Sequence, residues 1–308
     1  MSSLNDLEPQ VSSADLITEV QDELNERQSR LAYTWYIIRT NPLTWIGSLI
    51  LFFFVFVAIL APVIAPYGPT ELIVADRLQP PSRTHWMGTD QLGHDIFSRV
   101  VYASRVDLVI AVTAVLLAMI IGVPLGAIIG YSKPRVDEVV MRFIDGINAF
   151  PMFILALLVA ASLGPGIVNV IIVVAFVNFS GYLRLVRGLV LSLKERQFVE
   201  AARSIGHPPL IIIFKHILPN TFGPVLVLSC LNAAWAILTA AGLSFVGVGV
   251  PLPTPEWGLM VDSGTRYIPS GEWWISIFPG LAIALAVLGF NLVGDSLQDV
   301  LDPRKHIR

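Results

Sequence analysis

The sequence predicts an all-α membrane protein with six transmembrane helices, and three observations predict it. Of 308 residues, 55% are hydrophobic and only 14% are charged, whereas soluble domains carry roughly a quarter charged residues. Mean hydropathy is +0.70. Six apolar stretches approach the roughly 20 residues that a helix needs to cross a bilayer: 43–65, 108–131, 139–163, 167–183, 225–246 and 275–293. Finally, fifteen of the 20 lysines and arginines fall on alternate connections. These are Arg27, Arg30 and Arg39; Lys133, Arg135 and Arg142; Arg184, Arg187, Lys194, Arg196, Arg203 and Lys215; and Arg304, Lys305 and Arg308. Positive loops stay in the cytoplasm, so both termini and the connection around residues 194–220 are expected there.

The elements follow in chain order. Residues 1–42 form a cytosolic segment in which Leu16, Ile17, Val20 and Leu24 recur at helical spacing, as in an amphipathic helix. The first apolar run starts at Leu43, behind a long polar segment, and is too long and too far in for a cleavable leader. A proline-rich outer loop spans 66–105 and carries HWMGTDQLGHDIFSRV. The five spans of 106–300 follow, and the fourth, the shortest, has room to continue past Arg184. A second outer loop at 247–274 contains PLPTPEWG and SGEWW, whose Gly, Pro and Trp suit ordered re-entrant turns and interface anchoring. Residues 301–308 are a cytosolic tail.

Charge and cysteine content exclude little else. Net charge is −3, which points to no particular partner. A single cysteine, Cys230, rules out an intrachain disulfide and a Cys metal cluster; in its apolar run it reads as a small buried residue. Within the spans, Asn148, Asn178, Ser229, Asn232, Thr239 and Asn291 must each find a partner or face water. Ser229, Asn232 and Thr239 give the fifth span a small polar face and are the pathway-lining candidates. Arg105 and Asp107 are expected at the outer rim, in the interface.

One segment stands apart. EAARSIGHPPLIIIFKHILPN, residues 200–220, lies between two spans yet is charged and broken by prolines. A helix over 194–205 places Phe198, Ala201, Ala202 and Ile205 on one stripe, with Glu200 opposite. Gly206 suits the left-handed residue just past a helix end, and Pro208 and Pro209 can open a new helix. The apolar run 210–218 should then be buried against the spans. The expected result is a short helix held across the ends of the bundle, with the residues alone leaving docking and simple connection equally open.

Other chemistry fits poorly. No G-x-x-x-x-G-K-[ST] phosphate cradle is present. His85, Asp90, His94 and Asp95 are metal-ligand types, but GTDQLGHD reads better as a turn whose aspartates cap backbone N–H groups. Asp295, Asp299 and Asp302 could be imagined holding Mg-diphosphate, but that chemistry needs a second acidic cluster facing them. The other inner acids, Asp137, Glu138 and Asp145, lie near Arg135 and Arg142 and look paired.

Here a resemblance enters. The 200–220 segment resembles the EAA loop of ABC importer permeases: Glu200, Ala201 and Ala202, then Gly206, then Ile217, Leu218 and Pro219 keep the spacing, with His216 where the general pattern has Ile. HWMGTDQLGHDIFSRVVYASRVDL is similar to the H-x-x-G-T-D-x-x-G-R-D-x-x-S-R segment of the second permease of dipeptide, oligopeptide and nickel importers, with His94 replacing Arg. AGLSFVGVGVPLPTPEWG and FNLVGDSLQDVLDPR are similar to later segments of the same family. The resemblance implies the type I importer permease fold and a multi-pass place in the bacterial inner membrane. Glu200, Ala201, Ala202, Arg203 and Gly206 would couple to the ATPase, and Asp90, Gly93, Asp95 and Trp257 would build the outer loops or meet a binding protein. Partners would be a homologous second permease, two ATPases holding ATP and Mg, and an extracytoplasmic binding protein delivering peptide. The chain itself would be no enzyme and bind no cofactor, metal or nucleic acid. A permease for another solute such as a nickel chelate, a secondary transporter and a membrane enzyme are the alternatives; the last two would need inverted repeats or facing acids.

Overall fold

The computed structural model describes residues 41–301; the expectations for residues 1–40 and 302–308 lie outside the described residues. The described chain is helical throughout its regular elements. Helix α1, Pro42–Ile64, opens on Asn41, whose Oδ1 accepts from Leu43 N at 3.0 Å. Helix α2, Ile96–Tyr131, runs 36 residues from an Asp95 cap. Then come α3, Pro134–Asn148, and α4, Met152–Leu163. Helix α5, Ile167–Leu193, continues well past Arg184. The short α6, Gln197–Ser204, precedes a helical lead-in over 209–221 and α7, Phe222–Phe245. Finally α8, Trp257–Thr265, and α9, Trp274–Leu301, close the fold.

Helices α1, α2, α5 and α9, and α7 with its lead-in, are each long and apolar enough to cross a membrane. The expected third span, 139–163, is not one continuous helix: it is a pair, α3 and α4, bent by 85°, and counted as one broken span it brings the candidate spans to six. Pro151 stands between them and cannot continue an α-helical ladder. The acids of α3 also differ from expectation. Asp137 pairs with Arg187 and Asp145 with Arg184 at 2.6 Å, both on α5. Only Glu138 pairs within α3, with Arg142 at 2.6 Å. The amphipathic α3 is thereby pinned to α5 by charge.

Helix α2 is the centre of the bundle, packed on α1, α5 and α7. Its seam with α5 is made by Gly122, Gly126 and Gly130. A Cβ on Gly126 would lie 2.5 Å from the Leu183 carbonyl oxygen, and one on Gly130 2.9 Å from that of Arg187. Small residues four apart let two membrane helices approach this closely. Helix α9 packs between α1 and α7. The core between them holds Ile110, Tyr182, Ile237, Leu243, Trp257 and Ile275, all buried. Outward, α1 exposes Leu49, Phe52 and Ile59, an apolar surface suited to lipid.

Candidate functional site

Helix α6 is short because its surroundings end it. At its start, Lys194 closes α5 and sends Nζ to the Gly130 carbonyl at 3.3 Å. At its finish, Gly206 takes φ +83°, Gly206 N donates to Arg203 O at 2.9 Å and His207 N to Ala202 O at 3.1 Å. This is the Schellman pattern of a glycine-terminated helix. The imidazoles of His207 and His216 then meet at 3.3 Å and tie the exit to the lead-in of α7. Arg203 Nε donates to the Tyr131 hydroxyl at 3.0 Å, and its guanidinium lies 5.3 Å from that ring's centre. Helix α6 is thus fastened to the end of α2.

The seat of α6 corrects the expected wheel. Val199 and Ala202 are the residues buried, at 0% and 3%. Phe198 is 41% exposed and Ile205 72%, while Ala201 and Glu200 are exposed beside them. The buried stripe is rotated away from Phe198 and Ile205 because Ile212, Ile213 and Ile217 of the lead-in already fill the space beneath. That lead-in departs from expectation too: it passes through a π-helical turn at Ile212–Ile217, and Leu210, Ile211 and Phe214 remain exposed.

At the other end of the bundle, the 66–95 loop is held by the residues singled out in GTDQLGHD. Asp90 Oδ1 accepts from Leu92 N at 2.8 Å and His94 N at 2.9 Å, and Oδ2 meets His94 Nδ1 at 2.7 Å. Asp95 caps α2: Oδ2 accepts from Ser98 N at 2.8 Å and Ser98 Oγ at 2.7 Å, while Oδ1 meets His85 Nδ1 at 2.9 Å. Gly93 takes φ +87° with Ile73 O against it, a space and conformation closed to other residues. Burial pushes the Asp90 carboxyl up, but the hydrogen bonds and charge of His94 outweigh it and hold the group below its ordinary value.

Trp257 opens α8, fully buried against Phe54 at 5.4 Å, with Nε1 donating to Val100 O at 3.1 Å. Its backbone N donates to Asp107 Oδ2 at 3.2 Å. Asp107 is therefore not at an interfacial rim: it is 1% exposed, drawn inside by the start of α8. Glu256, beside it, caps α8 by accepting from Gly258 N at 2.9 Å and Leu259 N at 2.7 Å. Burial pushes the Glu256 carboxyl above its ordinary value. Sequence reasoning missed Glu256, although an acid placed just before a helix start is the cue for a cap. Arg105 is exposed and donates to the Ala58 and Ile59 carbonyls.

Of the polar residues on α7, Ser229 accepts from the Tyr182 hydroxyl at 3.0 Å and donates to Val225 O at 2.8 Å. Thr239 is buried and donates back to Trp235 O at 2.8 Å. Asn232 is buried, with its Nδ2 unbonded among the described residues. Asn148 and Asn178 satisfy themselves at Ile144 O and Val174 O, at 2.9 and 2.8 Å. A cavity of about 470 Å³ opens between Gly181, Leu185, Leu228, Leu231 and Leu301, on α5, α7 and α9.

Spanning helices around a central α2, a bent pair and a short helix displayed across one end define a multi-pass α-helical membrane protein. Residues 122–307 match the family described as binding-protein-dependent transport system inner membrane component, and residues 29–81 match the N-terminal TM domain of oligopeptide transport permease C. The chain belongs to the former family. It is 43% identical over 267 residues to the dipeptide transport system permease protein DppC of Alkalihalophilus pseudofirmus, covering 87% of this chain and 88% of that one. It is 40% identical to the di/tripeptide transport system permease protein DppC of Pseudomonas aeruginosa, covering 84% and 87%. It is 42% identical to the glutathione transport system permease protein GsiD of Shigella dysenteriae, covering 88% and 89%.

Proposed function

We propose that this permease is one of two homologous membrane subunits of an ATP-driven importer for short peptides. The observation that carries the reading is the outward face of α6. Phe198, Glu200, Ala201 and Ile205 are exposed on a helix whose other face and both ends are fastened to the bundle. Two large apolar side chains held rigidly toward solvent beside a carboxylate make a protein-docking surface. A cytosolic ATPase is the occupant that the EAA spacing implies, with ATP and Mg bound there and no cofactor on this chain. Both termini and α6 then face the cytoplasm, in agreement with the lysine and arginine distribution. The 66–95 loop and α8 face the opposite side, where a binding protein would deliver its ligand. Peptide rather than another solute is favoured by the relatives named for dipeptides, di/tripeptides and glutathione.

The test is Glu200→Arg in membrane vesicles carrying the assembled importer. ATP-driven uptake of a labelled dipeptide should fall at least tenfold while the chain still inserts. Normal uptake would refute α6 as the coupling element, and failure of any ATPase to co-purify with the parent chain would refute the importer reading.

A further inference from the structure

Two carboxyl groups are buried together at the α8 end of the bundle. Asp107 is 1% exposed and Glu256 0%. Three successive backbone N–H groups open α8, and all three are spent on this pair. Trp257 N donates to Asp107 Oδ2, Gly258 N to Glu256 Oε1 and Leu259 N to Glu256 Oε2, at 3.2, 2.9 and 2.7 Å. One oxygen is left over. Asp107 Oδ1 is buried and has no hydrogen-bond partner among N–H and O–H groups of the described residues. A buried acceptor left empty is destabilising, and a helix start offers only about half a positive charge to offset two full negative ones.

Among the described residues, no neighbouring element supplies a cation. Helices α1 and α7 carry no Lys, Arg, Asp or Glu. On α2, Arg99 donates to Pro69 O at 3.2 Å and Arg105 to the Ala58 and Ile59 carbonyls. Just past α8, Arg266 faces Asp262 at 3.6 Å. Glu272, ahead of α9, adds only another acid, and the acids of α9, Asp295 and Asp299, lie toward its far end. A bound metal ion is disfavoured, because N–H donors already aim at three of the four carboxyl oxygens. A single proton resolves the excess charge and the empty oxygen at once, as two carboxyls in one dry site cannot both ionise.

We propose that Asp107 and Glu256 share one proton, and that this proton fastens the start of α8 to α2. Glu256 takes two backbone N–H groups and keeps the charge. Asp107 Oδ1 carries the proton and donates it to the Glu256 carboxylate. When that proton passes to solvent, two adjacent negative charges push the α8 start away from α2. Asp107 and Glu256 are thus positioning residues for α8. The consequence for transport rests on the permease reading, since α8 lies at the end opposite α6, where the pathway must open to receive its ligand.

The test uses the full-length chain in detergent with Cys230→Ser. Leu259→Cys reports opening of the α8 start, and Ser270→Cys, in the exposed turn that follows α8, serves as reference. Maleimide labelling at Leu259→Cys, divided by that at Ser270→Cys, cancels the reagent's own pH dependence. The ratio should be flat in acid and rise by up to tenfold per pH unit once the shared proton is lost, the limit for one proton. Adding Asp107→Asn, which keeps an N–H donor but cannot ionise, should hold the ratio low at every pH. A ratio independent of pH between about pH 5 and about pH 9 in the parent would overturn the proposal, and so would an Asp107→Asn variant that follows the parent. Infrared spectroscopy gives a second readout should that variant fold poorly: the parent should show a protonated-carboxyl band at neutral pH, and its absence would also overturn the proposal. Neither measurement needs ATP, substrate or a partner, so the proton latch and the importer reading fail separately.

Discussion

The glycine seam between α2 and α5 makes a paired prediction whose sign depends on packing alone. A methyl group at Gly126 would stand 2.5 Å from the Leu183 carbonyl oxygen, where ordinary contact begins at 3.4 Å. The two helices must therefore part by about 0.9 Å at their closest point. Overpacking of this kind costs roughly 1–3 kcal/mol. Gly→Ala in a helix interior returns about 0.5–1 kcal/mol. Gly126→Ala should thus lose up to about 2.5 kcal/mol net, lowering the thermal midpoint in detergent by up to about 5 °C at about 2 °C per kcal/mol for a chain of this size. Gly188 lies on α5 with nothing within 4 Å of its would-be Cβ. There the backbone gain is unopposed, so Gly188→Ala should raise the midpoint by about 1–2 °C. Equal midpoints for the two variants would refute the seam as a packed contact.

Other expectations follow from the charged contacts. Asp137→Arg and Arg187→Asp should each lower the thermal midpoint, by about 1–3 kcal/mol in stability for a charge-assisted hydrogen-bonded pair, and the double exchange should recover much of the loss in a double-mutant cycle. Asp90 is held below its ordinary value by His94. Its stabilisation of the 66–95 loop is therefore complete above the free carboxylate pKa of about 4 and lost as pH falls through the lower folded value. Amide exchange at Leu92 and His94, corrected for intrinsic rate, should accelerate below about pH 4 and be fast at all pH in Asp90→Ala. Phe198→Asp should leave the thermal midpoint within about 0.5 kcal/mol of the parent, as for a surface change, while abolishing co-purification of an ATPase; an unfolded variant would show that Phe198 is part of the core.

The continuous spans were legible because length and apolarity suffice to find them. The bend between α3 and α4 was not, because a window averaged over 139–163 hides a charged first half behind an apolar second half. Pro151 marked the break, but a proline inside a membrane helix is often tolerated. Wheel geometry showed that α6 is amphipathic without showing which side faces the bundle. That choice is made by Ile212, Ile213 and Ile217, whose place beneath α6 depends on the chain turning back at Gly206. The nearness of Asp107 to a span start points to the rim, whereas its fate is set by Glu256 and Trp257 far along the chain. The spacing of Gly122, Gly126 and Gly130 stands in the sequence as a small-residue repeat, but its partner surface on α5 does not.

These particulars assign α2 a mechanical role. At about 1.5 Å per residue its 36 residues span about 54 Å, more than the roughly 30 Å hydrocarbon core. Tyr131, its last residue, is gripped by Arg203 of α6. Its other end carries Asp95, the cap tied to the 66–95 loop, and Asp107, the anchor of α8. The one proline inside it is Pro124, which cannot donate to the helical ladder. That proline lies between Gly122 and Gly126, where the backbone of α5 is pressed closest. The seam therefore splints the helix where it would bend. The other route from α6 runs through the lead-in of α7, whose π-helical turn at Ile212–Ile217 breaks the regular ladder. Of the two paths between the displayed helix and α8, the stiff one is α2 braced by α5. If α6 moves, as the importer reading requires, α2 is the better braced connection from it to the two buried carboxyls at the start of α8.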